Sequence, residues 1–175
     1  MSDPADLPLV EAAALVASRK LSSRELTQAC LTRAEACTAR TGAFLEIEAE
    51  GALAAADRAD AALARGEPVG PLHGIPLAHK DMFYRRGLVC TCGTPIRAGW
   101  RPDATATVIE RLRRAGAIEL GRLAMAEWAK GPTGHNDHFG HVRNPWNTAH
   151  VPGGSSAGSG AAVAARAVFG ALGSD

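Results

Sequence analysis

The sequence predicts an α/β fold in which at least some of the strands are parallel. Residues 72–79 form a short apolar run bounded by glycine and proline, which is typical of a buried strand. Residues 105–115 have the apolar spacing of an amphipathic helix, and residues 117–121 form a second apolar run. A strand, a helix and a strand in this order favour a parallel pair. The 175 residues, 46% of them hydrophobic, suffice for one ordinary core.

The first predicted helix begins at Ser22. Glu25 follows three residues later, which completes a capping box, and Leu21 and Leu26 are spaced as a hydrophobic staple. Apolar residues then recur at intervals of three and four, at Leu26, Cys30, Ala34 and Cys37. We interpret the two cysteines of this stripe as packed thiols. The four cysteines contain no CxxC pair and predict neither a disulfide nor a zinc site.

A second, alanine-rich helix is predicted over about residues 48–64. It ends at Gly66, and residues 67–71 form a connection rich in turn-forming residues. No catalytic grouping appears before residue 70. We therefore divide the chain into an amino-terminal helical segment, residues 1–70, and a second segment, residues 71–175.

The charge of the chain is nearly balanced. Nineteen basic and eighteen acidic side chains leave a formal charge of +1, which gives no electrostatic footprint for nucleic acid or an anionic membrane. The apolar stretches are short, and the acidic opening residues lack the pattern of a secretory signal. These observations predict a cytoplasmic protein that binds neither nucleic acid nor a membrane directly.

The strand predicted over residues 72–79 delivers Lys80 and Asp81 to its carboxyl end, where open α/β sheets place their chemistry. A lysine beside an aspartate is ordinarily ion-paired or solvated. The apolar residues before Lys80 favour burial instead, and burial disfavours the ammonium form and makes a lysine a usable base. From these residues alone, both interpretations stay open.

A glycine- and serine-rich run at residues 152–160 precedes a small-residue helix predicted over about residues 158–168. Gly153 and Gly154 let the backbone approach a substrate closely, and amide groups at the start of the helix favour developing negative charge. A loop of this composition is also typical of a flexible turn or a phosphate cradle. The P-loop motif itself is excluded because no lysine stands at the required position.

Three segments in this order closely resemble the amidase signature family: Gly74–Asp81, Arg143–Asn147 and Pro152–Ser159. Residues 23–26, 43–44 and 117–121 also look like family segments, so the resemblance covers nearly the whole chain. It implies the amidase signature fold, an α/β architecture with a mixed central β-sheet flanked by helices. This chain would hold only the amino-terminal part of that fold.

The resemblance also implies the chemistry. Members of the family use a lysine, a serine in a cis peptide bond and a second serine that forms the acyl-enzyme. Lys80 matches the lysine, and Ser155, joined to Gly154, matches the cis serine. The implied activity is hydrolysis of a small-molecule carboxylic amide to an acid and ammonia or an amine. No metal and no cofactor are expected.

The nucleophile of the family lies in a segment of the form Gly-Ser-Asp-Thr-Gly-Gly-Ser. This sequence supplies Gly173-Ser174-Asp175, so Ser174 does not match the nucleophile, which is expected a few positions further on. The resemblance therefore implies an amino-terminal fragment of an amidase, inactive as given, whose full-length parent is an enzyme.

Three alternatives are kept open. Within the family, the rival of a stand-alone amidase is the tRNA amidotransferase component that releases ammonia from glutamine; it works with partner subunits, whereas the amidase could form a homodimer. His135, His138 and His141 are ligand types that could indicate a metallohydrolase, although they lack an HExxH context. A non-catalytic binding or scaffold module is the third alternative.

Overall fold

The computed structural model describes residues 3–175 and shows a mixed sheet with helices on both faces. The helices are α1 (Leu9–Ala17), α2 (Ser23–Thr41), α3 (Ala49–Ala64), α4 (Thr107–Arg114) and α5 (Ala157–Ala164), and the strands are β1 (Phe44–Ile47), β2 (Pro76–Lys80), β3 (Ile118–Leu123) and β4 (Ala171–Leu172). Short 3₁₀ turns occur at Pro4–Asp6, Pro95–Arg97 and Glu127–Ala129.

The four strands lie in the order β1-β3-β2-β4. β1 is antiparallel to β3, whereas β3, β2 and β4 are parallel to one another. The predicted mixed α/β architecture and the parallel pairing of the strands on either side of α4 are therefore confirmed. Because parallel strands end at one edge of a sheet, the residues that follow β2, β3 and β4 meet there.

The capping box predicted at Ser22 is present. The Glu25 amide donates to Ser22 Oγ at 3.0 Å, and the Ser22 amide donates to Glu25 Oε2 at 3.0 Å. Leu26 is fully buried and Leu21 packs against the same cluster, as the predicted staple requires. Gly42, with φ +69°, ends the helix in the left-handed conformation that glycine adopts without a Cβ penalty.

Two predictions about elements need correction. The helix predicted to reach residue 168 ends at Ala164, because Arg166 takes a φ of +55° and the chain forms a Schellman motif. The Arg166 amide donates to Val163 O at 2.9 Å and the Ala167 amide donates to Ala162 O at 2.9 Å. The segment predicted as helical, residues 1–70, also contains β1. The division into residues 1–70 and 71–175 stays a prediction.

The core lies on both faces of the sheet. Ala78 belongs to a large cluster formed with residues of α2, α3 and α5, whereas Leu77 belongs to a smaller cluster with residues of α1. Neighbouring strand residues point to opposite faces, so Lys80 lies on the face of Ala78, toward α5. The register of β2 therefore aims the lysine at the loop before α5.

All four cysteines are free and buried, in keeping with the packed thiols expected at Cys30 and Cys37. Burial raises the pKa of Cys30 to about 12 and that of Cys37 in the same direction. Within residues 3–175, no helix has the length and apolar character needed to cross a membrane.

Candidate active site

Lys80 is the last residue of β2 and is almost completely buried, with 1% of its surface exposed. Three hydroxyl oxygens surround its amino group: Nζ lies 2.6 Å from Ser155 Oγ, 2.9 Å from Ser156 Oγ and 2.7 Å from Ser174 Oγ. The structure thus brings together the two residues singled out from the sequence, Lys80 and Ser155. It adds two serines that the sequence analysis did not assign to the site.

The Gly154–Ser155 peptide bond is cis, as the resemblance implied. The Ala126 amide donates to the Ser155 carbonyl at 3.0 Å and fixes that residue beside the end of β3. A side chain at Gly154 would have its Cβ 2.7 Å from Gly131 O, so only glycine lets this loop pass so close to residues 131–134.

Ser156 and Ser174 hold each other as well as the lysine. The Ser174 amide donates to Ser156 Oγ at 3.1 Å, and Ser156 Oγ donates to Ser174 O at 3.3 Å. Ser174 reaches the site because β4 is parallel to β2, which brings both strand ends to one edge. The sequence signal that could have placed Ser174 in the site is a strand just before it. β4 has only two residues, which are too few to show a strand pattern in the sequence.

The charge environment supports a neutral amine at Lys80. Burial lowers the pKa of Lys80 from its ordinary value of 10.5. The neighbouring Asp81 does not compensate, because its carboxylate pairs with Arg122, whose Nη1 lies 2.8 Å from Asp81 Oδ1. Within residues 3–175, no carboxylate forms a salt bridge with Lys80. The ion-paired and solvated interpretations of this lysine therefore do not describe the structure.

A cavity of about 390 Å³ opens over the serines. Its lining contains Ser155 and Ser174 together with Met82, Ala129, Gly131, Pro132, Gly154 and Asp175. The volume lies in the range of small-molecule sites. A ligand in this cavity would contact two of the three hydroxyls that surround Lys80.

The three histidines considered as metal ligands have other partners. His135 Nδ1 lies 2.8 Å from Thr133 Oγ1, His138 Nε2 lies 3.3 Å from Glu127, and His141 Nδ1 accepts from the Asn136 amide at 3.1 Å. In the described part of the chain, no three histidine, cysteine or acidic side chains are grouped as metal ligands. The sequence signal for a metallohydrolase therefore has no counterpart in this geometry.

Comparison with protein families decides the affiliation. The family model described as Amidase matches residues 25–175. The chain belongs to the Amidase family. The resemblance to the amidase signature family drawn from three sequence segments is thereby confirmed.

Curated relatives in this family include the A subunit of glutamyl-tRNA(Gln) amidotransferase from Acidothermus cellulolyticus, 48% identical over all 175 residues and covered over 35% of its own length. The protein of the same name from Salinispora arenicola is 45% identical, again over the whole chain, and is covered over 36%. The chain thus spans about a third of the length of these relatives.

Solved structures agree with this affiliation. Fatty acid amide hydrolase superimposes with a TM-score of 0.95 at 27% identity, over 100% of this chain and 32% of that one. A chain of a vestigial protein complex related to the origins of an s-triazine catabolic enzyme superimposes with a TM-score of 0.93 at 40% identity, over 97% of this chain and 37% of that one. Peptide amidase from Stenotrophomonas maltophilia superimposes with a TM-score of 0.85 at 36% identity, over 93% of this chain and 35% of that one. The amidase signature fold is thereby confirmed.

Proposed function

We propose that this chain supplies the proton-transfer half of an amide-hydrolysing site, with Lys80 as the base and Ser155 as the relay. The observation that supports this proposal most directly is the 2.6 Å contact between Lys80 Nζ and Ser155 Oγ. The lysine is buried, and within residues 3–175 it has no carboxylate partner. Family membership and the structural likeness to amidases support the same assignment.

The hydrogen atoms around Lys80 fit this role. A lysine ammonium has three hydrogens and can donate to Ser155, Ser156 and Ser174 together, whereas the neutral amine has two hydrogens and one lone pair. Ser156 directs its own hydrogen toward Ser174 O, so it accepts from Lys80. The hydroxyl that donates to the neutral amine is therefore Ser155 or Ser174, and Ser155 is the one matched to the family's relay.

In the proposed reaction, the neutral Lys80 amine accepts the hydroxyl proton of Ser155, and Ser155 accepts a proton from the attacking serine. That serine adds to the amide carbon, and the proton then returns through Ser155 to the leaving nitrogen, releasing ammonia or an amine. Water repeats the sequence on the acyl-enzyme and releases the acid. We place the attacking serine in the part of the relatives that this chain does not cover.

The proposed relay uses no metal and no cofactor, and its substrate is a small amide that fits the 390 Å³ cavity. We place the reaction in the cytoplasm, as the sequence predicts.

A second candidate function rests on the curated relatives. Proteins 48% and 45% identical to this chain are named as the A subunit of glutamyl-tRNA(Gln) amidotransferase. In that case the amide is glutamine, the ammonia is passed on rather than lost, and partner subunits replace a homodimer. The same Lys80–Ser155 pair would serve both functions.

One experiment tests the shared chemistry and separates the two functions. The complete gene product is assayed for ammonia release from a panel of simple amides and from glutamine, beside its Lys80→Ala variant, with and without chelator. Release that Lys80→Ala abolishes and chelator spares supports the proposal. Unchanged release in Lys80→Ala, or no release from any amide, contradicts it. Activity confined to glutamine selects the amidotransferase function.

A further inference from the structure

The end of β2, which carries Lys80, is held in place by residues 91–93. The Asp81 carboxylate accepts hydrogen bonds from the amide and the hydroxyl of Thr91, and the Asp81 carbonyl accepts from the Cys92 amide at 2.9 Å. The Asp81 side chain is fully buried. Residues 91–93 therefore fix the backbone immediately after Lys80.

Ser155 is held by a different segment, residues 124–126, which follow β3. The Ala126 amide donates to Ser155 O at 3.0 Å, and the Gly158 amide, at the start of α5, donates to Ala124 O at 2.9 Å. This segment thus fixes both the serine and the helix that follows it. The ends of β2 and β3 are paired directly, since the Asp81 amide donates to Leu123 O at 3.1 Å. Beyond that pairing, the distance between Lys80 Nζ and Ser155 Oγ depends on how residues 91–93 and 124–126 sit relative to each other.

Asn136 joins these two segments through one amide group. Its Nδ2 donates to Gly93 O at 2.8 Å and to Met125 O at 2.9 Å. Its Oδ1 accepts from the amides of His138 and Phe139, at 2.9 and 3.0 Å. The residue is 5% exposed, and these four bonds use its whole hydrogen-bonding capacity.

We propose that Asn136 is a positioning residue of the site: its carboxamide sets the separation of residues 91–93 and 124–126, the two segments that hold the backbone beside Lys80 and Ser155. The proposal rests on the proposed function, because it concerns the geometry of the same proton transfer. Without the carboxamide, two buried carbonyls lose their donor, which leaves polar groups unpaired in the interior. Residues 91–93 and 124–126 then separate and admit water to Lys80.

The test is the pH dependence of kcat/KM for amide hydrolysis by the complete gene product, compared with Asn136→Ala. We expect a loss of about 100-fold, typical of a reacting pair displaced by an ångström. We also expect the acidic limb to move to higher pH, since hydration of Lys80 returns its pKa toward 10.5. Asn147→Ala is the matched control, because Asn147 is exposed and bonds only within its own turn.

A second variant perturbs the same junction from its other side. A Cβ at Gly93 would lie 2.9 Å from Asn136 Nδ2 and 3.0 Å from Met125 O, and Gly93 has a φ of +69°, so Gly93→Ala strains the junction and forces it apart while the carboxamide is retained. The acidic limb of its kcat/KM profile should also move to higher pH. If Asn136 had a merely structural role, the variants would have a lower folded fraction, which thermal melts detect. The acidic limb of the kcat/KM profile would then stay at its wild-type pH. Normal activity, or a loss without a shift in both variants, overturns the proposal.

Lys80→Ala, measured in the same assay, distinguishes failure of the proposed function from failure of the positioning role of Asn136. If Lys80→Ala stays active, the proposed function itself fails. If Lys80→Ala is inactive while Asn136→Ala and Gly93→Ala retain the wild-type profile, only the positioning role of Asn136 fails.

Discussion

At the scale of a single residue, Lys80 combines burial with a ring of hydroxyl groups. It is fully buried, which disfavours its charge, and its amino group has three hydroxyl oxygens within 2.9 Å. Hydroxyls can accept from an ammonium and can also donate to an amine, so they accommodate either protonation state. A carboxylate partner would have fixed the charged form instead.

The protonation state of Lys80 gives a prediction about pH. Only the neutral amine can accept a proton, so kcat/KM should rise with pH through the pKa of Lys80, which burial places below 10.5. A guanidinium is not deprotonated in proteins, so Lys80→Arg should lose the acidic limb and should be about 1,000-fold slower than the wild type above the pKa of Lys80. The measurement is a pH profile of amide hydrolysis by the complete gene product and by this variant. A variant with a wild-type acidic limb would show that another group is the base.

At the scale of elements, α5 is placed by the close approach of Gly158 to the end of β3. A Cβ there would meet Ala43 O and would lie 2.6 Å from the Ala124 amide nitrogen. The small residues at the start of α5 thus let the helix sit directly against the strand end. This contact carries Ser155 and Ser156 to Lys80.

The packing of α5 is tested by two identical substitutions in the same helix. Gly158→Ala should lower the free energy of unfolding by about 1–3 kcal/mol, because backbone must move to admit the methyl group. Gly160→Ala, which meets nothing within 4 Å, should raise it by about 0.5–1 kcal/mol through helix propensity. Denaturant unfolding measures both. Equal effects of the two substitutions would mean that α5 is not packed as described.

The elements that the sequence predicts well are those specified locally. The capping box at Ser22 and the apolar run of β2 are local patterns. The helix begins where predicted, whereas the strand predicted over residues 72–79 forms only at Pro76–Lys80, because residues 71–74 form a turn. The four residues of β1 lack a clean alternation, and their strand conformation comes from pairing with β3. The end of α5 was mispredicted because its left-handed residue is Arg166, where a glycine is usual.

The site was predictable to the same extent. Lys80 and Ser155 were found because each lies in a recognisable segment. Ser174 and Asn136 join them only through strand order and through loops that meet at one edge of the sheet. Such contacts depend on tertiary structure, and no local pattern in the sequence encodes them.

At the scale of the whole molecule, the two predicted segments, residues 1–70 and 71–175, share one sheet and are joined by two ion-pair networks. Arg85 is 5% exposed, and its guanidinium lies 2.5 Å from Glu48 and 2.9 Å from Glu119. Asp81 is tied through Arg122 to Glu46 of β1. These contacts couple the start of the chain to the strand that carries Lys80.

His79 gives a prediction about the stability of the whole molecule. It is 5% exposed, its ring nitrogens have no hydrogen-bond partner within residues 3–175, and burial lowers its pKa from 6.5 to about 4. Between these values the unfolded state binds more protons. The free energy of unfolding should therefore fall as the pH drops from 6.5 to 4, by about 3 kcal/mol from this group.

The comparison is between the unfolding free energies of the protein and of His79→Leu over this pH range, with the exposed His150→Leu as control. Glu119, Arg85 and Arg113 also act on His79 and are retained in both variants. The dependence on pH should be shallower in His79→Leu alone. Parallel curves for all three proteins would mean that His79 titrates normally.

The central claim is that Lys80 and Ser155 act as one relay, and a double-mutant cycle tests it most directly. The kcat/KM of the complete gene product is measured for Lys80→Ala, Ser155→Ala and the double variant. Groups that act as a unit are strongly non-additive, so the double variant should be no slower than the slower single variant. Losses that multiply in the double variant, or a single variant with near-normal turnover, would contradict the claim.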